Sequence, residues 1–336
     1  MPNAASPEAV GPNDIVLFWY HASPFGRRVK AYLTLRNIEH AECLVTPILP
    51  RPAQEALGIN YRRSPVMAVG RDVYLDTRLM LAKLDEIFPP SDKHPGLSAP
   101  ETKGLAQLLQ KLMVDVSGFR EAVKQIPMNS PIAKDPKFQK DRAGFFGPEW
   151  KPDSSSRSEG IVHMRHIFDM LESLLVDGRR WIGSSEKISM ADLEGVWVID
   201  WFLGDLKGPE EYFSSKQYPL VHQWRSRYRE ELDAAKGRAA KPMSLQGPDA
   251  VKLISASAFT DRDMVVDAAD PLRLKAGTTV ELFPTDGGGF THKDQGSLVK
   301  LSKDEIAISV QSQAGVEMRL HAPRWRFKVK EIRPNL

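Results

Sequence analysis

One stretch near the start of the chain constrains the fold more than any other. Ile15 to Tyr20 (IVLFWY) is a continuous apolar run flanked by turn residues, the pattern of a buried strand. Ser23-Pro24 follows at once, a serine suited to an N-cap and a proline suited to the first helical position. The helix then runs through Val29, Leu33 and Leu35 to about Asn37. Ala41 to Val45 reads as a second strand, parallel to the first if the crossover is right-handed. A hydroxyl at the head of that first helix can do three things. It can cap the helix, act as a nucleophile, or hold a charged ligand atom over the helix start.

The remaining elements follow from periodicity and breakers. Pro47, Pro50 and Pro52 interrupt the chain after the second strand. Val66–Ala68–Val69 and Val73–Tyr74–Leu75 are two short strands around Gly70-Arg71-Asp72, a hairpin signal. Residues 77–88 return to helix, stopped by Pro89-Pro90. From about 101 to 230 the apolar spacing is helical throughout, as in Leu105, Leu108, Leu109 and Leu112. Within it, Ser189 and Asp192 have capping-box spacing, with Ile188 and Leu193 placed for a hydrophobic staple. Residues 233–250 are small, polar and punctuated by Pro and Gly, and so read as a linker. Beyond it TTVELF, GSLVKL, EIAISVQ, GVEMRLH and RWRFKVKEI are short strands, for which a small barrel of about five strands is the expected closure. Gly287-Gly288-Gly289 lacks the Lys-Ser/Thr of a phosphate loop and reads as a hairpin turn.

Composition narrows the function classes. Lys+Arg 46 against Asp+Glu 43 gives a net charge of +3, so neither nucleic acid nor an anionic membrane is an expected partner. The alternating Arg324, Arg326, Lys328 and Lys330 read as one wet face of a strand. No apolar run approaches the roughly 18 residues of a membrane span. The lone Cys43 reads as a buried thiol, with no disulfide and no Cys-based zinc site. His163 and His166 share a helix face without a third ligand, so no metal is expected. Residues 1–13 read as a disordered lead, and the setting as cytoplasmic.

Several of these pieces, in this order, resemble the cytosolic glutathione S-transferase superfamily over about residues 14–230. SPFGRRV is similar to the active-site turn of its serine-type classes, INYRRSPVM to its cis-proline segment, and WIGSSEKISMADL to its helix-capping segment. Leu75-Asp76-Thr77 stands where the family has an acidic or amide residue before a serine. The chain departs from the pattern at Tyr61, Ser64 and Asp76-Thr77. The resemblance implies an α/β thioredoxin-like glutathione-binding domain over 14–92 and an all-helical domain over 93–232. After the linker, the β-barrel domain of 251–336 lies outside it.

What the resemblance implies for chemistry is specific. Glutathione would be the co-substrate, with Ser23 stabilising its thiolate at the helix start. Ser64 before Pro65 would pair with the cysteinyl backbone, and Asp76 and Thr77 would take the γ-glutamyl ammonium and carboxylate. Arg63, Gln54 and Arg62 are candidates for the glycyl carboxylate, Arg63 first. A small hydrophobic electrophile would lie near Tyr20, His21 and Phe25, with Asp115, Val116 and Phe119 on the long helix. Tyr20 is a competing hydroxyl, with packing as its plainer role. The family's usual homodimer is implied as well. A non-catalytic binding or regulatory protein, recognising a partner through the barrel, and a glutathione-dependent isomerase stay open as alternatives.

Overall fold

A computed structural model describes residues 14–333 apart from 128, 130, 148–152, 184, 185 and 288–290. The expected lead over 1–13 and the Gly288-Gly289 part of the expected turn lie outside the described residues. In chain order β1 (Ile15–Trp19), α1 (Pro24–Leu35), β2 (Ala41–Leu44), α2 (Pro52–Ala56), β3 (Val66–Val69), β4 (Asp72–Tyr74) and α3 (Thr77–Ile87) come first. Next are α4 (Lys103–Lys111), a π-helical turn (Leu112–Val116), α5 (Gly118–Val123), α6 (Pro131–Lys134) and α7 (Pro136–Phe146). The helical stretch closes with α8 (Ser154–Leu174), α9 (Met190–Gly204), α10 (Glu210–Phe213) and α11 (Pro219–Arg238). The chain ends with β5 (Met243–Leu245), α12 (Gly247–Ala256), β6 (Thr279–Pro284), β7 (Asp294–Leu301), β8 (Glu305–Gln311), β9 (Glu317–Pro323) and β10 (Phe327–Glu331).

Two compact units form. The first comprises Met1–Gly26, Glu39–Ile87 and Lys241–Leu336; the second comprises Arg27–Ile38 and Phe88–Ala240. In the first unit ten strands make one sheet in the order β10-β6-β7-β8-β9-β4-β3-β1-β2-β5. β1 pairs β2 in parallel, with α1 as the crossover between them, and β3 and β4 follow antiparallel.

The C-terminal strands correct two expectations. They are not set apart from the N-terminal strands as a separate barrel over 251–336: β9 pairs with β4 in parallel and extends the same sheet. The expected linker over 233–250 carries β5, which pairs with β2 at the other edge. The physical reason is the edge problem. β2 and β4 would each present a row of unpaired backbone groups, and the chain covers both with its own later strands. One apolar core results, a single buried cluster that holds Val16, Phe18 and Ala68 together with Val280, Ile308 and Leu320. Gly70 permits the junction, since its φ is +58° and a Cβ there would lie 2.2 Å from the Ala258 carbonyl oxygen.

The second unit is helical, and besides the stretch expected over 93–232 it takes in most of α1, which the sequence expectation assigned to 14–92. α9 is apolar nearly all round and its Leu193, Val196, Trp197, Val198, Ile199 and Phe202 are buried, the pattern of a central helix. Ser189 and Asp192 form the expected capping box: the Asp192 carboxylate accepts from Ser189 N at 3.0 Å and Ser189 Oγ at 2.6 Å. It also accepts from Ile182 N at 2.7 Å and Trp224 Nε1 at 2.8 Å, so one buried carboxylate ties three segments together.

Candidate functional site

Register alone brings the main candidates together. β1 and β3 are antiparallel with Phe18 opposite Val66, so the end of β1, leading to Ser23, lies beside the start of β3, led by Ser64-Pro65. β3 and β4 are antiparallel with Met67 opposite Tyr74, so the end of β4, leading to Asp76-Thr77, lies at the same end. Three loops on neighbouring strands thus open at one end of the sheet.

Ser23 closes a turn, its N–H donating to the Tyr20 carbonyl at 2.9 Å. Its Oγ accepts from Gly26 N at 3.0 Å, the capping bond that its position before Pro24 predicts. The residue is only 1% exposed. Gly26 is required for this packing, because a Cβ would lie 2.9 Å from the Trp19 ring and 3.3 Å from Ser23 Oγ. The arginines that follow serve structure in the helical unit. Arg27 pairs with Asp205 at 2.5 Å, and the fully buried Arg28 pairs with Glu194.

The second loop is held from several sides. The Ser64–Pro65 peptide is cis. Arg51 donates from Nη1 to the carbonyls of Arg62 at 2.8 Å and Arg63 at 3.0 Å, fixing the backbone ahead of Ser64. Gln54, 2% exposed, has both amide atoms buried without a hydrogen-bond partner, and Ser64 Oγ is buried in the same state. Each such group costs about 1–3 kcal/mol when left unpaired, which is the mark of a missing polar partner. Arg63 is engaged otherwise. Its Nη2 donates to Asp286 Oδ1 at 2.7 Å, to the Asp286 backbone carbonyl, and to the Gly287 carbonyl at 3.4 Å.

In the third loop Asp76 heads α3. Its Oδ1 accepts from Arg78 N at 2.9 Å and Nε at 2.8 Å, and its Oδ2 from Arg78 Nη2 at 2.9 Å. Burial alone would raise its carboxyl, but the Arg78 charge and hydrogen bonds outweigh burial and hold it at about 2. Asp76 is therefore ionised at neutral pH and already shares its charge with Arg78. Thr77, buried, is the first residue of α3. Sequence reasoning missed Arg78, whose spacing two residues after a helix-capping aspartate was the available signal. It missed Arg51 and Asp286 as well, and for Asp286 no local signal exists, since its partner lies 223 residues away.

The remaining candidates divide between the units. In the first, Tyr20 and Phe25 are half-buried and His21 is exposed, its ring edge-on to Trp19 at 5.1 Å. In the second, Asp115 and Val116 fall in the π-helical turn, Asp115 half-buried and Val116 65% exposed. Phe119 stacks on Trp197 and Trp201 with centroids at 6.4 and 5.8 Å.

A separate charged cluster fills the junction of α3, β4, β7, β8 and β9. His321, fully buried, places Nδ1 2.6 Å from Glu305 and Nε2 3.0 Å from Asp72. Asp72 also accepts from Thr260 N at 2.6 Å and Asp261 N at 2.8 Å. Lys83 and Lys300 reach Asp261 at 3.1 and 3.0 Å, and Lys300 reaches Glu305 at 2.9 Å. Asp261, Glu305 and His321 are close enough to share a cation. Two lysine ammoniums already neutralise those carboxylates, so the cluster is accounted for as an ion-pair network.

Comparison with known proteins bears on the fold. Residues 17–92 match the glutathione S-transferase N-terminal domain, and residues 121–237 match a domain of unknown function. No curated protein matches the sequence. The crystal structure of a GST-like protein from Pseudomonas syringae superposes with a TM-score of 0.69 at 21% identity, covering 95% of this chain and 100% of that one. That span takes in the C-terminal strands. Beta-etherase LigF from Sphingobium sp. strain SYK-6 gives a TM-score of 0.50 at 14% identity, covering 67% of this chain and 100% of its own. The architecture is therefore that of glutathione S-transferases, a thioredoxin-like domain with a helical domain, extended by C-terminal strands. No helix of the described residues is long and apolar enough to cross a membrane.

Proposed function

We propose that this chain is a glutathione-dependent transferase. The γ-glutamyl group lies at Asp76 and Thr77, the cysteinyl backbone beside Ser64-Pro65, and the sulfur at Ser23. The observation that carries this reading is the register that opens these three loops at one end of one sheet. The match of residues 17–92 to glutathione S-transferase N-terminal domains supports it. So do the orphaned Gln54 amide and Ser64 hydroxyl, which want the donors and acceptors a peptide carries. An ionised Asp76 suits an ammonium.

The chemistry follows from the site's own groups. A free thiol has a pKa of about 8.5, and a helix start with nearby donors lowers it. Ser23 Oγ accepts from Gly26, which leaves its proton to donate to a thiolate. The thiolate then attacks a small hydrophobic electrophile; the same anion would serve an isomerase. The protein works as a cytoplasmic homodimer in this reading. To test it, the absorbance of bound thiolate is titrated in wild type and Ser23→Ala. Wild type should hold the thiol well below about 8.5, and the variant should return it by roughly a unit or more, ~1.4 kcal/mol. An unchanged value rejects the role given to Ser23.

A second reading, a non-catalytic binding protein recognising a partner through the C-terminal strands, is favoured by one fact: Ser23 is only 1% exposed. Calorimetry separates the two. No heat with glutathione, together with no turnover of generic electrophiles, selects the binding protein.

A further inference from the structure

Arg63 is the first candidate for the glycyl carboxylate, yet it carries a carboxylate of its own. We propose that Asp286 is a built-in occupant of the glycyl subsite, so that the site prefers a γ-glutamyl-cysteinyl thiol whose third residue is uncharged over glutathione itself. The inference rests on the glutathione-site reading above and goes past it, by naming the form of thiol the site accepts.

Three observations carry it. First, the contact is built. Arg63 is 15% exposed and its Nη2 meets the Asp286 carboxylate at 2.7 Å, along with the backbone carbonyls of Asp286 and Gly287. Second, the two sides of the contact are joined elsewhere. Asn60 N donates to the buried Asp294 at 2.7 Å, and Tyr61 stacks on Phe327 with centroids at 6.1 Å. The residues leading to Arg63 are thus bound to β7 and β10, while Asp286 follows β6, which both of those strands pair with. Third, charge is matched without a ligand. A glycyl carboxylate arriving at Arg63 would face Asp286 as a like charge on the same guanidinium, and like charges brought together at an interface are strongly disfavoured. An ester or amide at that position meets no such repulsion.

The test uses the full-length chain, with glutathione and its glycyl monoethyl ester as probes, in wild type, Asp286→Asn and Asp286→Ala. Both substitutions keep the backbone carbonyl that Arg63 also bonds, so the turn keeps an anchor, and thermal melts verify folding. Wild type should bind the ester at least as tightly as glutathione. Both variants should gain about tenfold for glutathione, near 1.4 kcal/mol, with the ester changing by less than about twofold. Wild type preferring glutathione over the ester, or an unchanged ratio in both variants, overturns the proposal while leaving the glutathione site standing. Binding of neither probe by any of the three proteins overturns the proposal and the glutathione-site reading together.

Discussion

His321→Gln is expected to be among the most destabilising single substitutions in the first unit. The imidazole bridges Asp72 and Glu305 from full burial, at 3.0 and 2.6 Å. With both ring nitrogens on carboxylates, the ring is held as the imidazolium. Burial alone would lower its pKa, and the hydrogen bonds and charges of Asp72 and Glu305 raise it instead. Around it Asp72, Asp261 and Glu305 face Lys83, Lys300 and His321, with Glu86, Asp263 and Arg319 at the margin. Glutamine removes one of three central cations and leaves two carboxylates facing each other, with a single amide NH₂ to share. Breaking a buried pair in this way costs about 3–5 kcal/mol. At about 2–4 °C per kcal/mol for large domains, the melting temperature should fall by roughly 10 °C. The pH dependence adds a signature. A folded pKa above the unfolded value means the imidazolium stabilises fully below about pH 6.5 and progressively less as pH rises through the raised value. Thermal melts from pH 6 upward should therefore show the gap between wild type and variant narrowing. A loss under about 1 kcal/mol, or a gap independent of pH, would refute the reasoning.

Two further outcomes follow from the same unit. Asp294 is fully buried and desolvation pushes its carboxyl up to about 7, against backbone donors from Asn60 and Tyr61. Its raised folded value contributes stability below the unfolded pKa of about 3.9 that is lost as pH rises through about 7, on the order of 4 kcal/mol at full ionisation. Asp294→Asn should gain on wild type across that range in denaturant titrations, and a constant difference would count against the assignment. Removal of residues 241–336 would strip β5 and β9 from the edges of β2 and β4 and open the shared core. Near-ultraviolet circular dichroism should then report lost tertiary packing. A truncated chain that still melts cooperatively would contradict the single-sheet account.

Much of the site was legible from local signals. The apolar run at Ile15, the Ser23-Pro24 start and the Ser189/Asp192 box each declare an element through a few neighbouring residues. Ser23, Ser64-Pro65 and Asp76-Thr77 were grouped by the resemblance alone, and it is the register of β1, β3 and β4 that sets their loops at one end of a sheet. Ser23 was legible as a hydroxyl at a helix head, but not that the residue would be buried, because burial depends on what packs over the turn. Arg27 and Arg28 read as neighbours of that turn, while their partners Asp205 and Glu194 lie more than 160 residues away.

By itself the sequence determined the kinds of element, their order, and the residue types available for anion and ammonium recognition. All of these depend on backbone propensity and short-range periodicity. Only the tertiary structure decided that the last strands complete the first sheet, that Asp72 meets His321, and that Asp286 lies on Arg63. A strand's pattern states which face is apolar but not whose edge it will join. A buried charge states that it needs a partner but not which one. Those choices are settled by complementarity across the whole core, where every edge and every buried charge must be satisfied at once.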